Sequence, residues 1–459
     1  MSAFVPPYPD RTHGPLSVLS TLRTARRNLL AIWEDRCFEW EFFSTRMLSR
    51  MLFICNSPAT VAQAFIDKQD SFERKSPQMR HALAPLLGDG LFISDGETWR
   101  RRRPIVARIV HVSQLPLFAP LMVQAATETA RRWASLPQHA PVNALTEMAT
   151  LTAEIICRTV FGRHLGAEHA AQIVAAFSQY QRLIGQLDLA YFLGLPDWLP
   201  RFRSPAILRA AARIHNVLDR VIGDCRERLT GGDASMIRLL LEARDPETGE
   251  PFDSAAVRNE AAVIFMAGHE TTANSLAWTW YLLSQAPEVE EQLYAELEQM
   301  LGGRPPTLDD VPKLVYTRAV FEEAIRLYPP VPMLARQASR DETIRGRPIP
   351  AGSLVMVVPW LLHRHRKFWD QPDHFVPERF LPDHASSLVR HAYVPLSIGP
   401  RICAGAAFGL TEAILCIATL AQRARLRLAP DAVVEPVCRL TLRPGNDLRM
   451  FVERRHQGD

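Results

Sequence analysis

The chain has little of several things that would sort it quickly. Its 53 basic and 49 acidic residues leave a net charge of only +4. That balance gives no electrostatic footprint for nucleic acid. No run of 18 consecutive apolar residues occurs, so no membrane-spanning helix is expected. The longest early apolar run, Leu29 to Trp33, is closely flanked by charge and does not read as a signal peptide. Cysteine is sparse and irregular, at 37, 55, 157, 225, 403, 416 and 438. The number is odd and no CxxC pair exists, which argues against a disulfide framework and a structural zinc site. These absences together predict a soluble cytoplasmic protein with no membrane anchor. Lysine stands only at 68, 75, 313 and 367, nearly all basic charge being arginine. No internal repeat is visible.

What remains is 459 residues, 47% hydrophobic, enough for a large core. Length alone suggests about three domains. The chemistry-bearing residues are scattered from Trp99 to Cys403, so one domain over 1–459 is the expectation. A proline-rich arm spans residues 1–15. The apolar run Met47 to Cys55 reads as a strand, followed by helical spacing from Pro58 to Asp67. Gln114 to Thr230 is helical with breaks, one from Gly194 to Pro205. Asp253 or Ser254 caps a long helix of about 254–284. Further helices are expected at Pro287–Leu301, Tyr316–Leu327 and from Ala406 to about Arg423. Pro329-Pro330-Val331-Pro332 stops the third of these, and short strands follow within Met333 to Pro359. The fold class is mainly α with a smaller sheet component.

The most telling residue is Cys403. It lies in the loop 396–405, Leu396-Ser397-Ile398-Gly399-Pro400-Arg401-Ile402-Cys403-Ala404-Gly405. Gly399-Pro400 makes a turn, and Gly405 lets a large group approach the backbone. A cysteine at the mouth of a helix has its thiolate favoured, which suits an axial ligand of haem iron. A buried core cysteine and a nucleophile are the competing readings at this point. In the long helix, Ala267-Gly268-His269-Glu270-Thr271 places Val263, Ala267 and Thr271 on one face. Ala267 and Gly268 leave a shallow groove there, and Gly268 costs about 1 kcal/mol against alanine. Thr271 can bond back to the carbonyl four residues earlier. A tight helix crossing with an exposed glutamate accounts for the same pattern. His269-Glu270 also opens a zincin-like run, but the second histidine would fall at Ala273, which excludes it. Glu323 and Arg326 can pair across one helical turn, with Arg379 in Pro377-Glu378-Arg379-Phe380 as a second arginine. Trp99 and Arg103 share a face of a basic run and form either a solvated surface or an anion site, which Arg336 can join.

These motifs, in this order, resemble those of the cytochrome P450 haem-thiolate monooxygenases over nearly the whole chain. The resemblance implies the cytochrome P450 fold, a large helical domain with a smaller β-sheet lobe. It implies haem (heme b) bound through Cys403 as proximal iron ligand, with Glu323, Arg326 and Arg379 as a structural triad. Trp99, Arg103, Arg336 and Arg401 are the implied propionate partners, with His363 a further candidate. Ala267, Gly268 and Gly405 lie against the porphyrin. Leu396 departs from the family, which usually has phenylalanine there.

Thr271 and Glu270 are the implied acid–alcohol pair that supplies protons during oxygen activation. The expected reaction inserts one oxygen atom from O2 into a lipophilic substrate, a terpenoid or a fatty acid. A peroxide-driven peroxygenase and a non-catalytic haem sensor are the alternatives. With no flavin or iron–sulfur module evident, electrons are expected from an external ferredoxin or flavin-type donor. Arg100, Arg101 and Arg102 are candidates for its docking face. The expected substrate pocket comprises Leu91, Phe92, Phe177, Tyr180, Leu187, Val263, Met266, Val331 and Leu334.

Overall fold

The computed structural model describes residues 4–162, 167–184, 189–195, 203–227, 235–245, 247–385, 388–438, 440–445 and 447–455. Its axis is the helix Ser254–Gln285, capped by Asp253, whose carboxylate accepts the Ala256 N–H at 2.6 Å. This helix is apolar on nearly every face, so it is buried on nearly every face. It crosses Ala144–Phe161 at Gly268, where a Cβ would stand 2.6 Å from Ile156 Cδ1. Gly268 thus permits a close helix crossing, with Ile156 filling the space on that side. The helix Ala406–Ala421 packs on Leu115–Ser135, with Phe408 edge-on to Phe118 at 6.0 Å.

The smaller lobe is a five-stranded sheet in the order Phe42–Met47, Arg50–Cys55, Leu354–Val357, Leu334–Gln337, Arg74–Lys75. Only the pair Arg50–Cys55 with Leu354–Val357 is parallel. The run Met47 to Cys55 is therefore not one strand. The chain reverses at Leu48, whose φ is 53°, and Met47 pairs back on Arg50. At the other edge, Lys75 is brought opposite Arg336. A separate three-stranded sheet joins Ala140–Asn143, Arg449–Arg454 and Ala424–Leu428, and its first strand interrupts the helical region expected over Gln114 to Thr230. The break Gly194 to Pro205 lies partly outside the described residues.

The proline-rich arm is extended and anchored. Phe375 N–H donates to the Phe4 carbonyl, the Tyr328 hydroxyl to the Pro7 carbonyl, and Arg11 to Asp373 at 2.6 Å. Within Gly96–Ser135, one 18-residue window has a mean hydropathy of 1.4, long and apolar enough to cross a membrane by length and composition. No run of consecutive apolar residues had marked it. In this fold Phe118, Met122 and Ala126 of that stretch are buried core.

Beneath the long helix lies a fully buried ion pair. Arg326 Nε and Nη2 donate to the two Glu323 oxygens at 2.5 and 2.7 Å. Arg326 also donates to the carbonyls of His363, Pro372 and His374 at 2.7–2.9 Å. Glu323 accepts further from Val376 N–H at 2.9 Å and Arg379 Nε at 3.2 Å. The pair thus pins residues 363–379 to the helix Val315–Leu327. Removing one partner strands a charge in the interior. Glu323→Ala is expected to cost about 3–5 kcal/mol, read by denaturant unfolding.

Candidate active site

A cavity of about 350 Å³ lies between the cysteine loop and the long helix. Its floor is Leu396, Ser397 and Cys403 to Ala406, and its roof includes Val263, Met266, Ala267, Gly268, Glu270 and Thr271. The Cys403 sulfur opens into this cavity while protein surrounds it on the outside. The loop is shaped by backbone contacts. Cys403 N–H donates to the Leu396 carbonyl at 2.9 Å, and Ser397 takes a φ of 67°. Gly399, at φ 72°, is obligatory, because a Cβ there would lie 2.0 Å from the Phe65 carbonyl oxygen. A Cβ on Gly405 would meet nothing within 4 Å and would project into open space.

The thiol itself behaves differently from the expectation of a helix-favoured thiolate. Burial pushes Cys403 above its ordinary value, and the Gly405 N–H, Arg103 and Lys75 only partly offset this. The helix begins three residues later, at Ala406, so its N-terminus is not at the sulfur. The anion at Cys403 is one that a bound metal cation stabilises.

One edge of the cavity is lined by Lys75, Trp99, Arg103, Arg336 and Arg401. Arg401 donates to the Ser94 carbonyl at 2.8 Å and lies 4.3 Å over the Trp99 ring. Its Nε and Nη2, and Arg336 Nη1, are buried without a partner. Among the described residues no carboxylate hydrogen-bonds to Lys75, Arg103 or Arg336. Burial, aggravated by neighbouring arginine charge, pulls Arg336 down to about 9 and Lys75 well below its ordinary value. Burial likewise pulls Arg401 down to about 10. Such a cluster lacks its counter-charge, and a dianion seated at this edge supplies it. A flat porphyrin with two propionates fits the slot, the orphaned guanidinium atoms and the sulfur together.

His363 does not belong to this edge. It is fully buried behind the floor, where its Nε2 accepts Val394 N–H at 2.9 Å and its Nδ1 faces the Arg326 carbonyl at 3.2 Å. It couples the ion pair to the cysteine loop. Lys75 is the cation that sequence reasoning missed, since its strand carries too few residues to show a pattern.

On the roof, the Thr271 hydroxyl donates to the Ala267 carbonyl at 2.6 Å, the back-bond its spacing predicts. Glu270 is half-buried and accepts Gln181 Nε2 at 2.5 Å from the helix Ala167–Leu183. His269 points away, its Nε2 3.1 Å from the Ala149 carbonyl, and burial lowers it to about 4. Leu91, Phe92, Val263, Met266, Val331 and Leu334 all line the cavity. Phe177 does not, because it packs on Phe265 at 4.4 Å. Tyr180 is also turned away and donates to the Ala82 carbonyl. Leu187 lies outside the described residues. The sequence reading missed Met79, Glu412, Leu440 and Thr441, which converge on the cavity from distant segments.

The docking-face candidates are largely engaged. Arg102 is nearly buried and pairs with Glu260 and Asp89, while Arg101 pairs with Glu97 and Asp245. Arg100 alone of the three is mostly exposed, with Glu73 at 3.9 Å.

The cytochrome P450 family model matches residues 20–447. The chain belongs to the cytochrome P450 family. Cyclooctatin synthase of Streptomyces melanosporofaciens is 32% identical over 415 residues, 89% of this chain and 88% of that protein. Pentalenene oxygenase of Streptomyces avermitilis is 30% identical, covering 81% and 82%. Cyclooctat-9-en-7-ol 5-monooxygenase of S. melanosporofaciens is 33% identical, covering 76% and 75%. Among solved structures, the haem domain of cytochrome P450DA superposes with a TM-score of 0.81 at 26% identity, covering 99% of each chain. The protein is a P450 monooxygenase that binds haem b through a cysteine thiolate and uses O2, an organic substrate and electrons from a redox partner.

His269 provides a pH test. Its buried ring binds protons less readily than in the unfolded chain, so stability is lost as pH falls from 6.5 towards 4. The loss should reach about 3 kcal/mol. His269→Asn should flatten this acid limb in urea unfolding measured across that range.

Proposed function

We propose that this P450 oxidises a terpenoid, with Cys403, Thr271 and Glu270 in the roles their positions suggest. The single observation that carries the reading is the apolar roof, Val263, Met266 and Leu91 among it, set over Cys403 beside one hydroxyl and one carboxylate. Among the described residues no charged side chain on the roof other than Glu270 is placed to grip a polar substrate, so shape and apolar contact select it. The terpenoid names of the Streptomyces relatives favour that class over fatty acids.

When bound, the haem supplies a thiolate-ligated iron that activates dioxygen and favours O–O cleavage. The chain's own residues do the rest. Arg336, Arg401, Arg103, Lys75 and Trp99 would hold the propionate edge. Thr271 and Glu270 hold and pass protons on the roof; Gln181 sets the position of the Glu270 carboxylate. Val263, Met266 and Val331 exclude water from the reacting carbon. The acid–alcohol pair has no use in a haem sensor and favours turnover with O2. Electrons come from an external ferredoxin or flavin protein, with Arg100 part of the surface that meets it, in the cytoplasm. The domain is one catalytic unit over 1–459.

Thr271→Ala should keep haem and ligand binding but divert electrons to peroxide, raising peroxide released per NAD(P)H several-fold relative to product. Unchanged coupling would remove Thr271 from proton delivery. A panel of diterpene and sesquiterpene hydrocarbons should contain members that shift the ferric Soret band towards the high-spin form; a response confined to fatty acids would overturn the substrate class.

A further inference from the structure

A second buried glutamate sits on the long helix, one turn before the cavity. Glu260 is fully buried. Its two oxygens accept the Leu91 N–H at 2.9 and 3.2 Å, and Oε1 also accepts Arg102 Nη1 at 3.1 Å. Arg102 donates in addition to the Asp89 carbonyl and carboxylate at 2.8 and 2.7 Å. Asn259 Nδ2 donates to the other Asp89 oxygen at 2.9 Å. Two glycines let the segment lie flat. A Cβ on Gly88, at φ 55°, would stand 2.3 Å from Asn259, and one on Gly90 2.7 Å from Val263. Residues 88–91 are thus held on the helix at the point where Leu91 and Phe92 turn into the cavity. Arg102 belongs to the same helix, Gly96–Ile109, as Trp99 and Arg103.

We propose that Glu260, with Arg102, is a positioning residue for substrate selection, clamping residues 88–91 so that Leu91 and Phe92 form a fixed wall above the haem. The inference rests on the monooxygenase reading of the cavity. Among the described residues the neighbouring charged groups are engaged elsewhere. Arg258 turns to Asp219, Arg101 to Glu97 and Asp245, and His215 to the Leu86 carbonyl. Burial raises Glu260 to about 7, against the lowering pull of Arg102 and the Leu91 N–H and with Asp89 adding to the rise. Opening the clamp returns the carboxyl to water and to its ordinary range. The closed form therefore holds its proton more firmly, and closure weakens as pH rises through about 7.

The test uses the holoenzyme and two iron ligands, pyridine and 4-phenylpyridine, whose ring nitrogens stay unprotonated near neutral pH. Both are read by the Soret shift on nitrogen ligation. Pyridine is too small to need the wall; 4-phenylpyridine must pack against it. Glu260→Ala is expected to weaken 4-phenylpyridine about tenfold while pyridine changes less than about twofold. In the wild type the ratio of the two affinities should fall several-fold from about pH 6 to about pH 8, and Glu260→Gln should make it flat. An unchanged ratio in Glu260→Ala, or a wild-type ratio with no pH dependence, overturns the clamp. If the variants fail to hold haem, hydrogen exchange of residues 88–93 in the wild-type holoenzyme decides. Exchange that rises between those pH values by more than intrinsic base catalysis supports the clamp, and exchange that follows it overturns it. A wild-type reduced carbon monoxide complex without the thiolate Soret band brings down the monooxygenase reading; a normal band with a flat ratio brings down the clamp alone.

Discussion

Four cations are gathered at one edge of a slot, with orphaned guanidinium atoms and, among the described residues, no carboxylate hydrogen-bonded to Lys75, Arg103 or Arg336. Left so, they repel one another in a medium that screens poorly. A dianion seated there would complete the arrangement. Much of the architecture follows from that requirement. The edge of the five-stranded sheet brings Lys75 opposite Arg336, the Gly96–Ile109 helix brings Trp99 and Arg103, and the cysteine loop brings Arg401. Separate elements of the fold thereby meet at one edge of the cavity, the edge we propose for the propionates.

The same economy governs the floor. Arg326 spends its donors on Glu323 and on three carbonyls of the following segment, so both members of that ion pair are answered. His363 then carries the contact on to Val394, just ahead of the cysteine loop. One site gathers like charge with unpartnered guanidinium atoms; the Glu323–Arg326 pair has its hydrogen bonds met by protein. This contrast separates the edge we propose for haem recognition from the ion pair that ties the floor together.

Local signals were read correctly where the chemistry is local. The Asp253 cap, the Thr271 back-bond and the Glu323–Arg326 pair each lie within four residues, and each stands as its spacing predicts. Signals that depend on what packs from afar were not legible. Gly268 makes room for Ile156 as well as lining the cavity, because the partner helix decides how its outer side is crowded. Phe177 has the right character for a pocket wall but turns to Phe265, a choice no helical wheel contains. Lys75 stands in a strand of two residues, and Glu260 finds its partner 169 positions away. Apolar patterning says that a side chain is inside; it does not say which interior space it meets.

Gly399 has a wider meaning. Its backbone lies so close to the Phe65 carbonyl that nothing larger than hydrogen fits between them. Main chain thus abuts main chain, with no side chain to flex between the cysteine loop and the small lobe. The height of the sulfur is set by a stop that cannot be trimmed or padded through sequence variation. Adaptation to a new guest molecule must then come from the ceiling of the chamber, and relatives with different appetites can share one unaltered hearth.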